Sequence, residues 1–326
     1  MKKSILAIAV AATMAAPAAM AAPTVYGNIH LTIHQFDKSD GTGAGTNGNL
    51  NMASHTSSIG AKGSEDLGNG LKAIYKAEFQ LAADGDSANG DALTQRDVFA
   101  GLKGGWGTVK VGAFSSNYKQ YGGKVDSLYR TPAEGRGFIQ TQSSQLHGGR
   151  GTNRGRMTNQ LAYTTPTMGG FSLVANVTTS DSDDETTGVG LRWSNKSFLV
   201  YGDWIDTTPT GVVSTNTTES AMKIGGKWSG KAFFVAAQVE DTEDLTDYNF
   251  MHLNGGWLIN ANNILTATYG TKGHVNDSNL DTAGLALAYD HKLSKMTDVY
   301  VAYMDKSSDT AALEDSAFAL GIRKKF

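Results

Sequence analysis

Between Asn117 and Met157 the sequence places seven basic residues (Lys119, Lys124, Arg130, Arg136, Arg150, Arg154 and Arg156) against two acids, Asp126 and Glu134. That local excess of +5 stands in a chain whose total is −3. Ammonium and guanidinium groups at this density do not break bonds. They set a field, and a field enclosed by low-dielectric walls raises the local concentration of anions. Arg96, Lys76 and Lys62, in neighbouring stretches, add to the same supply of basic side chains. The plainer reading is that these charges pair locally or face solvent, where an ion pair has little energetic consequence.

Other constellations promise less. "GAGTNG", from Gly43 to Gly48, matches a dinucleotide-binding pattern, but polar loop follows it and no helix opens there. His30 and His34 share a face, yet four strand residues separate them by about 13 Å, too far for one metal. "DGDSANGD" from Asp84 and "DSDDE" from Asp181 carry the carboxylates that Ca²⁺ takes, or Mg²⁺ bridging lipopolysaccharide. A solvated loop is the simpler account, so no cofactor and no resident metal is expected. There is no cysteine for a disulfide or thiolate site. Neither a G-x-S-x-G elbow nor an H-E-x-x-H helix is present.

The elements that must hold the basic segment are strands. In "TVYGNIHLTIHQF", Val25, Ile29, Leu31 and Ile33 fall on one face and Asn28, His30, Thr32 and His34 on the other, the period of a strand with one apolar face. The pattern predicts sixteen strands, over 24–36, 54–67, 71–82, 94–105, 107–116, 156–166, 171–179, 186–194, 198–207, 219–229, 231–241, 248–259, 262–273, 279–293, 297–307 and 316–326. Each has the 9–11 residues a tilted membrane-crossing strand needs, or somewhat more. Short turns such as "GNG" and "NK" alternate with long polar loops, the longest being 117–155. That is the order of an up-and-down transmembrane β-barrel, an all-β fold. A water-soluble barrel would turn its apolar stripe inward and have loops of similar length at both ends. Against it, Lys62, Lys76, Lys110, Arg192, Lys223 and Arg323 lie on the polar stripe, where a wide lumen can solvate them. Trp106, Trp193, Trp228 and Trp257 all sit beside short turns, as an interfacial girdle would.

The N-terminus "MKKSILAIAVAATMAAPAAMAA" has a basic start, an apolar stretch and small residues at Ala19 and Ala21, the pattern of a secretory signal peptide ending at residue 21. Residues 22–326 then form the barrel. Loss of Lys2 and Lys3 lowers the basic count from 28 to 26 against 31 acids, about −5, too weak to suggest nucleic acid. The chain closes on Phe318, Leu320 and Ile322 in alternation, with Phe326 last. In water such an end frays. In a closed barrel it pairs with the first strand and its apolar side faces lipid.

"TVYGNIHL", "SSIGAKGSEDLGNGLKAIYKAEFQ", "QRDVFAGLKGGWGTVKVG", "NQLAYTTP" with "GFSL", and the terminal "GIRKKF" together resemble the general porins of Gram-negative bacteria, closest to the neisserial and β-proteobacterial type. The resemblance implies a homotrimer of sixteen-stranded barrels in the outer membrane, set in lipid and lipopolysaccharide. It implies a water-filled pore for small hydrophilic solutes, narrowed by an inward third loop, here 117–157. It also implies that Phe326, behind Phe318, Leu320 and Ile322, is the signal read by the barrel-assembly machinery. On the family's pattern Arg96, Arg156, Lys76, Lys62 and Arg154 form the basic side of the constriction, and Glu134, Asp126 and Arg136 its loop side. One departure is Ser58, where many relatives carry an arginine, so a thinner or rearranged basic cluster is expected.

The function expected is passive diffusion with a mild preference for anions and no catalysis. The alternatives are a channel selective for one anionic or sugar-like nutrient, a barrel adhesin and a barrel enzyme. Block of conductance by a ligand, binding without ion current, and turnover lost on one substitution would distinguish them.

Overall fold

The structure, a computed structural model, describes residues 22–38, 48–86, 91–147, 155–179, 186–207, 220–310 and 314–326. The segment 1–21, Arg150, Arg154, most of "GAGTNG", the centre of "DGDSANGD" and the whole of "DSDDE" lie outside them. The strands are β1 (Thr24–Lys38), β2 (Leu50–Ser54), β3 (Ser58–Gly68), β4 (Leu71–Leu81), β5 (Leu93–Gly104), β6 (Gly107–Ser115), β7 (Arg156–Thr164), β8 (Phe171–Thr178) and β9 (Thr186–Ser194). They continue with β10 (Phe198–Thr207), β11 (Ser220–Ser229), β12 (Phe233–Thr242), β13 (Tyr248–Leu258), β14 (Asn263–His274), β15 (Thr282–Ser294), β16 (Thr297–Ser308) and β17 (Asp315–Lys325). Each pairs antiparallel with its neighbour, and β1 pairs with β17 from Asn28↔Lys325 to Lys38↔Asp315. The sheet is closed, with no edge left to satisfy in lipid.

The sixteen expected strands correspond to these seventeen segments because β2 and β3 are two halves of one crossing. Both pair with β1, through Leu31↔Ser54 and Asn28↔Ser58. Between those pairs, Ile29 and His30 face His55, Thr56 and Ser57. One extra residue makes a bulge, with Thr56 at φ +58°, and a bulge exchanges the faces of the strand on either side of it. Leu50 and Met52 are accordingly exposed in β2, while Ser58 and Gly60 are buried in β3. The alternation expected from residue 54 onward misses Leu50 to Ala53 because its phase changes there.

Burial decides between a membrane barrel and a soluble one. In β17, Phe318, Leu320, Ile322 and the final Phe326 are 49%, 52%, 46% and 50% exposed, while Ala317 and Ala319 are 3% and 0%. In β13 the buried face carries His252 and Asn254, and the exposed face Met251, Leu253 and Trp257. A protein that buries imidazole and amide groups while exposing leucines is solvated by hydrocarbon outside and by water within. At the short-turn end, Trp106 stacks with Tyr163 (6.3 Å) and Trp257 with Phe233 (6.2 Å) on the outer surface. These ring pairs sit where an interfacial belt lies.

Candidate functional site: a charged cavity inside the barrel

Residues 117–147 pack on the buried, polar face of the strands. The helix α1 (Asn117–Val125) starts at Ser116, whose hydroxyl accepts from the Lys119 amide at 3.3 Å. Asn117 Nδ2 donates to the Asp203 carboxylate (3.0 Å) and the Val189 carbonyl (2.9 Å). Arg192 pairs with Asp203 and donates to the Asn117 carbonyl at 3.0 Å. Lys223 donates to the Tyr118 carbonyl. Glu240 receives His147 Nε2 at 2.8 Å and the Ser143 amide at 3.2 Å. Further along, Leu128, Ala133 and Ile139 pack on Ala286, Ala288, Ala302 and Met304 of β15 and β16. The approach is close enough that a Cβ on Gly284 would lie 2.5 Å from Ile139 Cβ. The segment therefore leans on β9–β16 and faces β4–β7.

Between it and β4–β7 lies a cavity of about 390 Å³. Its lining carries six basic side chains (Lys76, Lys110, Lys119, Lys124, Arg130, Arg156) and two carboxylates (Glu78, Asp97), an excess of four basic groups. On the wall the charges alternate in a chain. Arg96 Nε meets Glu78 Oε1 at 2.7 Å, Lys76 lies 3.0 Å from Glu78 and 2.9 Å from Asp97, and Arg156 Nε meets Asp97 Oδ1 at 2.7 Å. Tyr26 donates to Glu78 Oε2 at 2.8 Å, and Lys62 stands 4.9 Å above the Tyr26 ring.

A second bulge builds this chain. Ala77 pairs with Val98 and Phe79 with Gln95, so Arg96 and Asp97 together lie opposite Glu78. Before the bulge Leu93 is exposed, and after it Leu102 is. The phase change lets two successive residues, Arg96 and Asp97, both reach the lumen. A third bulge, at Thr158 and Asn159 opposite Ala113, adjoins Arg156, with Asn159 at φ +49°.

Of the basic side expected from sequence, the structure brings together Arg96, Lys76 and Arg156, with Lys62 one tyrosine away. Arg154 lies outside the described residues. The loop side is arranged otherwise. Asp126 is buried and accepts from the Leu128 amide (3.0 Å) and the Gly135 amide (2.9 Å). Burial, with Glu134 nearby, pushes its carboxyl up to about 7. Glu134 pairs with Arg136 at 3.0 Å and receives the Arg130 amide at 2.8 Å. Arg136 donates to the His147 carbonyl and lies over the Tyr129 ring at 4.7 Å. None of the three lines the cavity; Lys119, Lys124 and Arg130 do. Sequence reading missed Glu78 and Asp97, although both follow basic partners at short spacing, Lys76 then Glu78 and Arg96 then Asp97. His30 and His34 are joined by His55, with His30–His55 ring centroids 5.5 Å apart and Thr32 Oγ1 2.7 Å from His55 Nε2. Among the described residues no group of three or more His, Cys, Asp or Glu is placed to hold a metal.

The profile of the Gram-negative porin family matches residues 7–311. The major outer membrane protein P.IB of Neisseria gonorrhoeae is 31% identical over 210 residues, 61% of this chain and 55% of that protein. Outer membrane porin protein 32 of Delftia acidovorans is 32% identical over 173 residues, 53% of this chain and 48% of its own. The chain thus matches about half the length of these relatives. The fold is shared with the anion-selective porin from Comamonas acidovorans, at a TM-score of 0.75 and 21% identity, covering 94% of this chain and 99% of that one. It is also shared with an outer membrane protein of Vibrio cholerae, OmpT in a trimer form, at a TM-score of 0.65 and 14% identity, covering 94% and 100%. A closed barrel, apolar outside and charged within, with a family match along most of its length, makes this chain a member of the Gram-negative porin family.

Proposed function

We propose that the protein is a general diffusion porin of the outer membrane, passing small hydrophilic solutes and ions down their gradients with a preference for anions. The observation that carries this is the cavity between the 117–147 segment and β4–β7, where six basic side chains face two carboxylates, Glu78 already shared by Lys76 and Arg96 and Asp97 by Lys76 and Arg156. An anion there meets uncompensated positive charge in a confined aqueous passage, and selectivity follows from width and lining charge. The segment 117–157 is the constriction, with Arg96, Lys76 and Arg156 on one side. Nothing in this arrangement calls for a catalytic step.

The same reading assigns 1–21 to export and removal, 22–326 to the barrel, and the assembled form to a homotrimer in lipid and lipopolysaccharide. Phe326 with the stripe before it serves the barrel-assembly machinery. The likeness to the trimer form of OmpT supports the assembly, and the apolar outer face supports the setting. Recording of purified protein in a planar bilayer under a KCl gradient tests the whole. Large, stable steps in groups of three with a reversal potential of anion-selective sign are expected. Folded protein that gives no steps would sink the porin reading, and steps blocked by one nutrient anion would replace the general pore with a selective one.

A further inference from the structure

One of the six cavity cations is placed unlike the rest. Lys119 is the third residue of α1, so its side chain leaves from the positive end of the helix dipole, and the first turn contains no acid to offset it. Lys110 has the Phe99 and Phe114 rings at 5.1 and 4.4 Å, Lys124 has Tyr121 at 5.3 Å, and Arg130 has Tyr129 at 5.4 Å. No such ring contact, and none of the ion pairs among the described residues, includes Lys119. What it faces is mostly positive. β4 contributes Lys76 and Glu78, β6 contributes Lys110, and β7 contributes Arg156. From β5, Arg96 acts at longer range and Asp97 lines the cavity. Its own loop adds Lys124, Arg130 and, at longer range, Arg136.

We infer that Lys119 is a specificity-determining residue of the pore whose charge follows the pH of the medium: it takes up a proton on acidification and adds one positive charge beside the anion path. This rests on the porin reading above. Burial, reinforced by Arg156, Arg136, Arg96 and Arg130, brings the ammonium down to about 6. The direction is fixed by the sign of the group. Above that value five charged cations face two carboxylates; below it six do, so anion preference grows as pH falls. One other loop group titrates nearby. Asp126, pushed up to about 7, loses a negative charge over a similar range, but it is turned into its own loop toward the Gly135 and Leu128 amides.

The test is the reversal potential under a KCl gradient between about pH 5 and pH 8 for wild type, Lys119→Gln, Lys119→Arg and Asp126→Asn. Wild type is expected to become roughly two- to threefold more anion-preferring at the acid end, the effect of a salt-screened unit charge about 7 Å from the ion in a water-like dielectric, acting with opposite sign on anion and cation. Lys119→Arg should hold the acid-end selectivity at every pH, since a guanidinium stays charged. Lys119→Gln should hold the neutral-end value. A midpoint near 6 that survives both lysine substitutions, or vanishes only in Asp126→Asn, overturns the inference while leaving the porin reading intact. Folded wild type without channels removes the porin reading and this inference with it.

Discussion

Arg96 and Asp97 are neighbours in sequence, and on a regular strand they would point to opposite faces. Because β5 bulges opposite Glu78, both reach the lumen, and the wall acquires its own carboxylates. The proposed anion preference is therefore a difference between opposing terms, six basic side chains against two acids. Replacing Glu78 and Asp97 by Gln and Asn should raise the anion-to-cation permeability ratio, whereas Arg156→Gln should lower it. Each unit charge is worth about 0.6 kcal/mol at about 7 Å in water-like dielectric, roughly half that once salt screens it, and because it acts with opposite sign on anion and cation the ratio changes roughly threefold per charge. Reversal potentials measured at fixed pH check both directions. A ratio that does not move in the double variant would place the ion path away from this wall.

The segment 117–147 stays in place through buried polar contacts to β9–β14, and such contacts are costly to break one-sidedly. Arg192→Ala leaves buried Asp203 with the Asn117 hydrogen bond and the nearby Lys223 charge, so the loss falls at or below the low end of the about 3–5 kcal/mol that breaking a buried pair costs. The expected result is a normally folded barrel whose current fluctuates and whose loop is cut by added protease. Acid should act on the same latch. Burial and Lys223 bring His147 down to about 4, below the usual value near 6.5. An undocked loop therefore binds a proton that the docked loop refuses, and docking weakens as pH falls from about 6.5 toward 4. Gating noise and protease sensitivity should rise across that window in wild type. If neither responds to Arg192→Ala, the contacts to β9–β14 do not hold the loop.

The whole molecule depends on one joint, where β17 meets β1. Gly27 and Phe326 exchange backbone hydrogen bonds (2.9 and 3.1 Å), and the tip of the terminal ring lies over Gly27. A Cβ on Gly27 would stand 2.2 Å from Phe326 Cζ, so any larger residue displaces the ring. Overpacking of this kind costs about 1–3 kcal/mol. Gly27→Val should reduce the fraction of barrel that resists unheated detergent on a gel, as should deletion of Phe326. Combining the two should cost little more than either, because both remove one contact. Additive losses would mean that the ring and the glycine act separately.

The sequence alone was enough for the barrel and its lipid-facing stripe, because period-two alternation repeated along the chain is a local property readable without contacts. The sixteen crossings, the alternation of short turns and long loops, and the tryptophans beside the turns all follow from it. Folding in three dimensions decided the site. Bulges at 55–57, 96–97 and 158–159 change the phase of burial by inserting one residue relative to a partner strand, and a partner's register is not visible in a single strand. For the same reason Asp126 and Glu134, acids in a basic loop, turned into the loop's own amides and Arg136, while Glu78 and Asp97 came to the lumen. Which charges face water and which face each other is set by pairings across 18 to 59 residues of chain, a separation that no pattern of neighbours encodes.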